Sequence, residues 1–182
     1  MDFTGRVFFN FSEPDVFRFY RLLADAAAEG VSVGVEWVGT AVDEVPASPL
    51  RGDQLATAVA EELRHIDSVR HTAFVQTLLA SVHVERVDLD HPRLIALVLD
   101  RVGADTAALL SSENAAALQA RLAASTAAST ELGVVGVPSL FRHGPVLLVR
   151  TSGAVATGAA GPRLAVINSM LEDDGLWELS KP

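Results

Sequence analysis

The chain contains no cysteine among its 182 residues. Without thiols it cannot form a disulfide, build a zinc–thiolate site or perform thiol chemistry with its own side chains. Dithiol–disulfide exchange needs two such thiols, so this chain alone cannot carry it out. If a thiol acts here, it must arrive on a small molecule.

Basic residues and long apolar runs are also scarce. Lys181 is the single lysine, the other basic residues are scattered arginines, and the net charge is −9, which argues against nucleic acid as a partner. No apolar run approaches the ~20 residues of a membrane span. The stretch Met1–Phe9 lacks a basic region followed by a long apolar segment. We therefore expect a cytoplasmic protein that does not act at a membrane.

The composition itself is that of a folded protein. Hydrophobic residues make up 49% of the chain, and the mean hydropathy is positive. These values favour a globule over a disordered chain. The length suits one domain spanning residues 1–182 and is sufficient to bury a core.

The first part of the chain predicts a β-α-β unit. Residues Arg6–Phe11 form a short β-type run, and Val16–Ala28 follows with apolar residues at helical spacing. Gly30 is a typical residue to end that helix. Val31–Gly39 alternates apolar residues and predicts a second strand, parallel to the first after a right-handed crossover.

The remainder predicts a helical block followed by strands and a closing helix. Residues 53–130 are nearly all helical in pattern, with four candidate helices at Gln54–Ile66, Ser68–Val82, Pro92–Val102 and Glu113–Thr130. Residues 134–144 and 145–153 then predict a hairpin around a His143-Gly144-Pro145 turn. A last helix is expected from Pro162. The predicted class is α/β, in the order βαβ, helices, ββα.

This order is that of a thioredoxin-like fold with a helical insertion at residues 53–130. The segment "GVVGVPSLF", Gly133–Phe141, resembles the G-V-x-G-V-P-T-F segment of the DsbA-like family. That family includes 2-hydroxychromene-2-carboxylate isomerases, kappa-class glutathione transferases and FrnE-type oxidoreductases. The stretches 31–39 and 87–103 are similar to other segments of it, so the resemblance covers most of residues 6–172. It implies that Pro138 is a cis proline beside the active site.

The segment "FNFSEPDVF" departs from the family pattern. Anchored on Pro14, Glu13 stands where the family has the first Cys of Cys-Pro-x-Cys or the first Ser of Ser-Pro-Tyr-Ser, and Val16 stands at the second such position. The resemblance therefore makes Ser12, Glu13 and Asp15 the candidate catalytic or ligand-contacting residues. A helix N-terminus that stabilises a thiolate would also stabilise a carboxylate, which makes Glu13 a weaker base.

A purely structural role for these three residues is the alternative. In one version Ser12 is the N-cap and Asp15 the third helical residue of a capping box, with a hydrophobic staple between Phe11 and Val16. In the other, Pro14 is the first helical residue and Glu13 is the cap. Both versions leave open whether the segment also has a chemical function.

The resemblance also implies a ligand site around Val137 and Pro138. The backbone of Val137 is expected to offer its N–H and C=O to an extended ligand, as this fold does for peptides and thiols. Arg163, in "GAAGPRL", is a candidate anion contact, although a surface arginine on the last helix is the favoured interpretation. The cofactor is either absent or an exogenous thiol such as glutathione or mycothiol. The acidic residue with which the family holds the amino group of glutathione is missing here.

Two functions remain open from the sequence. The first is an isomerase or thiol-dependent transferase that acts on a small hydrophobic or aromatic molecule, in a pocket between the first helix, the Val137–Pro138 loop and the insertion. The second is a non-catalytic, cysteine-free relative that serves as a binding module or homodimer. The five histidines show no metal-ligand spacing, so no metal is expected.

Overall fold

The computed structural model describes residues 1–41, 49–150, 156 and 158–172, and four strands in these ranges form one mixed sheet. The strands are β1 (Asp2–Phe9), β2 (Ser32–Gly39), β3 (Ser139–Phe141) and β4 (Leu147–Leu148), in the order β2-β1-β3-β4. β1 runs parallel to β2 and antiparallel to β3, and β3 and β4 are antiparallel. The predicted α/β class and the parallel first pair are confirmed.

Seven helices accompany the sheet in the described part of the chain. They are α1 (Pro14–Ala28), α2 (Gly52–Ile66), α3 (Ser68–His83), α4 (Leu94–Arg101), α5 (Thr106–Leu109), α6 (Ala115–Glu131) and α7 (Ala160–Glu172). The inserted block therefore has five helices rather than the four predicted. The additional helix α5 is a single turn capped by the Asp105 carboxylate, which is too short to leave a periodic pattern in the sequence.

The strand predictions need correction at their ends. β1 begins at Asp2 and ends at Phe9, so Asn10 and Phe11 belong to the turn and not to the strand. The predicted hairpin exists, but its strands have only three and two residues. The end of its second predicted strand, residues 151–153, lies outside the described residues.

The core is densest where the two parallel strands end. Residues in the second half of β1 are buried on both faces, as are those in the second half of β2, because helices cover both sides there. Phe9 packs edge-to-face against Phe11 at 5.2 Å and against Trp37 at 5.5 Å between ring centroids. This aromatic cluster holds the turn between β1 and α1 in place.

The insertion is fastened to the end of β2 by buried polar contacts. The side chain of Glu61 is fully buried, accepts the N–H of Gly39 and pairs with Arg64 at 2.8 Å. A Cβ at Gly39 would lie 2.7 Å from a methyl carbon of Thr57, so only glycine allows α2 to approach this closely. The hydroxyl of Thr40, the residue after β2, also forms a buried hydrogen bond with the hydroxyl of Ser129 in α6, and the two oxygens lie 2.6 Å apart. Among the helices described, none combines the length and the apolar character that crossing a membrane requires.

Candidate functional site

The corner, as residues Asn10–Asp15 are called below, joins the end of β1 to the start of α1. Glu13 is the N-cap of α1, in extended conformation with φ −81° and ψ 116°, and its carboxylate accepts the N–H of Asp15 at 3.3 Å. Pro14 is the first helical residue, as the second capping alternative predicted. Glu13 and not Ser12 caps the helix, so the capping-box version is wrong.

The hydroxyl of Ser12 is engaged by a residue from the insertion. It donates to Oδ2 of Asp53, on the first turn of α2, at 2.9 Å. The other oxygen of Asp53 accepts the N–H of Phe11 at 2.7 Å. One carboxylate thus binds two consecutive residues of the corner, and the Ser12 hydroxyl is not free to donate to a ligand.

His83, the last residue of α3, holds the corner from a second direction. Its Nε2 lies 2.9 Å from the carbonyl oxygen of Phe11, which can only accept, so Nε2 carries the proton. The ring stacks on Phe17 with centroids 5.2 Å apart and planes inclined by 16°. Burial lowers the pKa of His83, although the hydrogen bond to Phe11 and the charge of Glu13 oppose this. The imidazole is therefore neutral at neutral pH, with its Nδ1 lone pair available as an acceptor.

Asn10 and Asp15 complete the corner. Oδ1 of Asn10 accepts the N–H of Glu13 at 3.1 Å, which closes the turn before the helix. The carboxylate of Asp15 pairs with Arg18 on the next turn of α1 at 2.7 Å. Asp15 therefore forms its ion pair within α1 and does not contribute to the contact between Ser12 and Asp53.

The Val137–Pro138 loop lies beside the corner in the sheet register. The peptide bond between these residues is cis, in agreement with what the resemblance implied. Phe8 pairs with Ser139, and continuing this antiparallel register places Val137 opposite Asn10. The carbonyl of Pro138 accepts the N–H of Val149 at 2.9 Å, whereas neither backbone group of Val137 has a hydrogen-bond partner among the described residues. The Val137 peptide is therefore the candidate backbone contact for a ligand.

Arg163 lies far from the corner. It is an exposed residue on the first turn of α7. The start of that helix is bound by the carboxylate of Glu29, which accepts the N–H of Gly161 at 2.8 Å. Glu29 follows the C-terminal end of α1, about 24 Å along the helix from Glu13 at ~1.5 Å per residue. The structure brings Ser12, Glu13 and the Val137 loop together at one end of the two interior strands β1 and β3. It leaves Arg163 near the opposite end of α1.

Sequence reasoning missed Asn10, Asp53 and His83. Asn10 could have been found, because Asn side chains commonly accept a backbone N–H of a nearby residue in a turn that leads into a helix. Asp53 lies 41 residues from Ser12, and His83 lies 72 residues from Phe11. Contacts of such separation leave no local signal. Among the described residues, no group of His, Asp and Glu is arranged to hold a metal ion.

The structure is similar to solved oxidoreductases of the thioredoxin class. A thioredoxin-like oxidoreductase from Silicibacter pomeroyi DSS-3 is 17% identical with a TM-score of 0.63, covering 93% of this chain and 86% of that one. DsbA from Xylella fastidiosa is 15% identical with a TM-score of 0.61, over 93% and 84%. The cytosolic disulfide reductase DsbM from Pseudomonas aeruginosa, solved with GSH, is 15% identical with a TM-score of 0.59, over 93% and 99%. No protein-family model and no curated protein matches the sequence.

These similarities establish the fold. The chain has the DsbA-like thioredoxin fold with its helical insertion, and it has that fold without a cysteine. At this level of identity a shared fold carries no activity with it. The function must be argued from the corner itself.

Proposed function

We propose that this protein is a non-redox binding protein, in which the corner and the Val137 loop receive a small hydrophobic or aromatic molecule. The observation that carries the proposal is the peptide of Val137, unpaired within the described part of the chain, next to a corner whose side chains are already paired. Backbone groups alone suffice to bind an extended ligand, so this function does not need cysteine. Phe17, which is half-buried and stacks on His83, provides apolar surface beside the corner.

The contacts at the corner argue against dependence on an exogenous thiol. Glu13 places a negative charge at the helix start, and like charges disfavour a thiolate there. The Ser12 hydroxyl, which could otherwise donate to the sulfur, donates to Asp53. We therefore expect glutathione and mycothiol to be dispensable for binding.

A second candidate is an isomerase related to the 2-hydroxychromene-2-carboxylate enzymes. One observation favours it, namely the neutral imidazole of His83 with an unprotonated Nδ1 at the corner. A neutral imidazole can take a proton from a substrate as a general base. His83, rather than Ser12 or Glu13, would then be the base.

Amide NMR spectra of the protein test the binding proposal at residue level. The protein is titrated separately with 1-naphthol, glutathione and mycothiol. The aromatic ligand, 1-naphthol, should shift the Val137 amide resonance until the shift saturates. The Val31 amide serves as a control, because it is bonded to Ala26 at the far end of α1. If no ligand moves the Val137 resonance while the protein stays folded, the proposal is refuted.

Activity on 2-hydroxychromene-2-carboxylate tests the second candidate. The protein should convert the compound, and His83→Gln should remove that activity. The matched variant His91→Gln, at an exposed histidine outside the corner, should retain it. Equal activity of the two variants would exclude His83 as the base.

A further inference from the structure

A second candidate ligand site lies within the helical insertion. A cavity of about 620 Å³ opens between the start of α2, the loop before α4 and the residue that follows α5. Its walls are aliphatic, formed by Leu50, Leu55, Leu89, Ile95, Ala96 and Leu110. This volume and this lining are those of a site for a small organic molecule.

The rim of this cavity carries charges of both signs. Arg51 and Asp90 are exposed and line the same opening. The side chain of neither residue has an ion pair or hydrogen bond, with the other or with any described residue. The Asp90 carboxylate nevertheless lies against Gly52, where a Cβ would collide with it. The carboxylate therefore lies close to the backbone at the start of α2.

His91 adds a hydrogen-bond donor to the same rim. Its Nδ1 accepts the N–H of Arg93 at 3.4 Å, so the proton of the neutral ring is on Nε2. His91 and Arg51 can both donate to an anionic group. Asp90 can only accept, and it favours a cationic group.

We propose that this cavity binds a small zwitterion with a large apolar side chain, namely a free aliphatic or aromatic amino acid. The apolar side chain fills the aliphatic walls, the carboxylate binds Arg51 and His91, and the ammonium group binds Asp90. An apolar anion would be repelled by the carboxylate of Asp90, and an apolar cation would be repelled by the guanidinium group of Arg51. A ligand with both charges satisfies both rim residues.

This inference goes beyond the proposed function, because it requires neither the Val137 peptide nor any reaction at the corner. The two sites are nonetheless neighbours in the chain. Only Gly52 separates Arg51 from Asp53, and Asp53 is the residue that binds Ser12. A ligand in the cavity therefore contacts the same first turn of α2 that holds the corner.

Calorimetry with three matched probes tests the assignment. L-phenylalanine has both charges, 3-phenylpropionate lacks the ammonium group, and phenethylamine lacks the carboxylate. L-phenylalanine should bind at least about tenfold more tightly than either analogue, because each analogue lacks one of the two groups that form a charged hydrogen bond at the rim. Arg51→Gln should reduce its advantage over phenethylamine, with His91 still able to donate to the carboxylate, and Asp90→Asn should remove its advantage over 3-phenylpropionate.

Arg93→Gln is the matched control, because Arg93 is exposed on the same loop but does not line the cavity. It should leave all three affinities unchanged, and thermal unfolding should confirm that each variant is folded. Equal affinities for the three probes, or no binding by the folded protein, would overturn the assignment.

NMR separates this inference from the proposed function. Bound L-phenylalanine should shift the methyl resonances of Leu55 and Ile95 and should do so equally in Glu13→Gln. If it shifts the Val137 amide instead, the ligand binds at the corner, which refutes the cavity site and supports the proposed function. If 1-naphthol fails at Val137 while L-phenylalanine shifts the cavity methyl groups, the proposed function fails and the cavity site stands.

Discussion

The carboxylate of Asp53 accepts the hydroxyl hydrogen of Ser12 at 2.9 Å and thereby ties the helical insertion to the start of α1. The same carboxylate accepts the N–H of Phe11 at 2.7 Å. The corner is therefore not an isolated strand–helix turn. Its conformation depends on a residue from the insertion, and a change at Asp53 acts on the turn directly.

Removing the Asp53 carboxylate should destabilise the protein through the corner. Asp53→Ala leaves the Phe11 N–H and the Ser12 hydroxyl without their acceptor, which we expect to lower the free energy of unfolding by about 1–3 kcal/mol. Urea denaturation measures this. In a double-mutant cycle with Ser12→Ala, the two changes should couple by about 1 kcal/mol. Additive effects would show that the Ser12–Asp53 bond contributes nothing.

Arg64 should be essential because its partner is buried. Arg64→Ala leaves the fully buried carboxylate of Glu61 without an ion pair, with an expected loss of about 3 kcal/mol in the free energy of unfolding. Arg70→Ala is the matched control, since Arg70 forms an exposed pair with Asp67 three residues away. The control should unfold at nearly the wild-type urea concentration. If both variants lost similar free energies of unfolding, the burial of Glu61 would not be the reason that Arg64 matters.

Stability should fall below pH 6.5 because of His71. This residue is 4% exposed, and no described residue forms a hydrogen bond with its Nε2. Burial lowers its pKa to about 4, with further lowering by Arg64 and His65 that Glu36 opposes. The folded state therefore binds this proton less well than the unfolded chain. Stability should be complete above the ordinary pKa of 6.5 and should decrease by about 3 kcal/mol as the pH falls to about 4.

Replacing His71 tests the origin of that pH dependence. His71→Leu should reduce the loss of unfolding free energy between pH 6.5 and pH 4. The loss that the lowered pKa of His83 produces in the same direction should remain. His91→Gln, at an exposed histidine, should leave the slope unchanged. An unchanged slope in His71→Leu would assign the acid sensitivity to other groups.

Local patterns predicted most of the fold. Period-two alternation found β2 within one residue of its observed start, and apolar spacing found the long helices to within a few residues. The start of β1 was missed because Asp2–Gly5 is a mixed stretch whose strand conformation comes from pairing with Ser32–Val35. Such pairing is a property of the sheet and not of the segment.

The site was only partly predictable. The Pro14 anchor correctly placed Glu13 at the helix start, because capping and proline preferences act within a few residues. Asp53 and His83 were not found, because they reach the corner only when the insertion folds against it. The distance of Arg163 from the corner follows in the same way from Glu29 binding the start of α7. A homodimer and a cytoplasmic location stay predictions.

The thiol pKa of the Glu13→Cys variant tests the central claim most directly. The claim is that Glu13 occupies an anion-stabilising helix start, in the position where the DsbA-like family carries sulfur. Because the chain has no other cysteine, the pH dependence of thiolate ultraviolet absorbance reports this one group. Asp2→Cys, at an exposed position of β1, is the control and should titrate near ~8.5. We predict that the pKa of the thiol in Glu13→Cys lies below about 7. Equal values in the two variants would contradict the account.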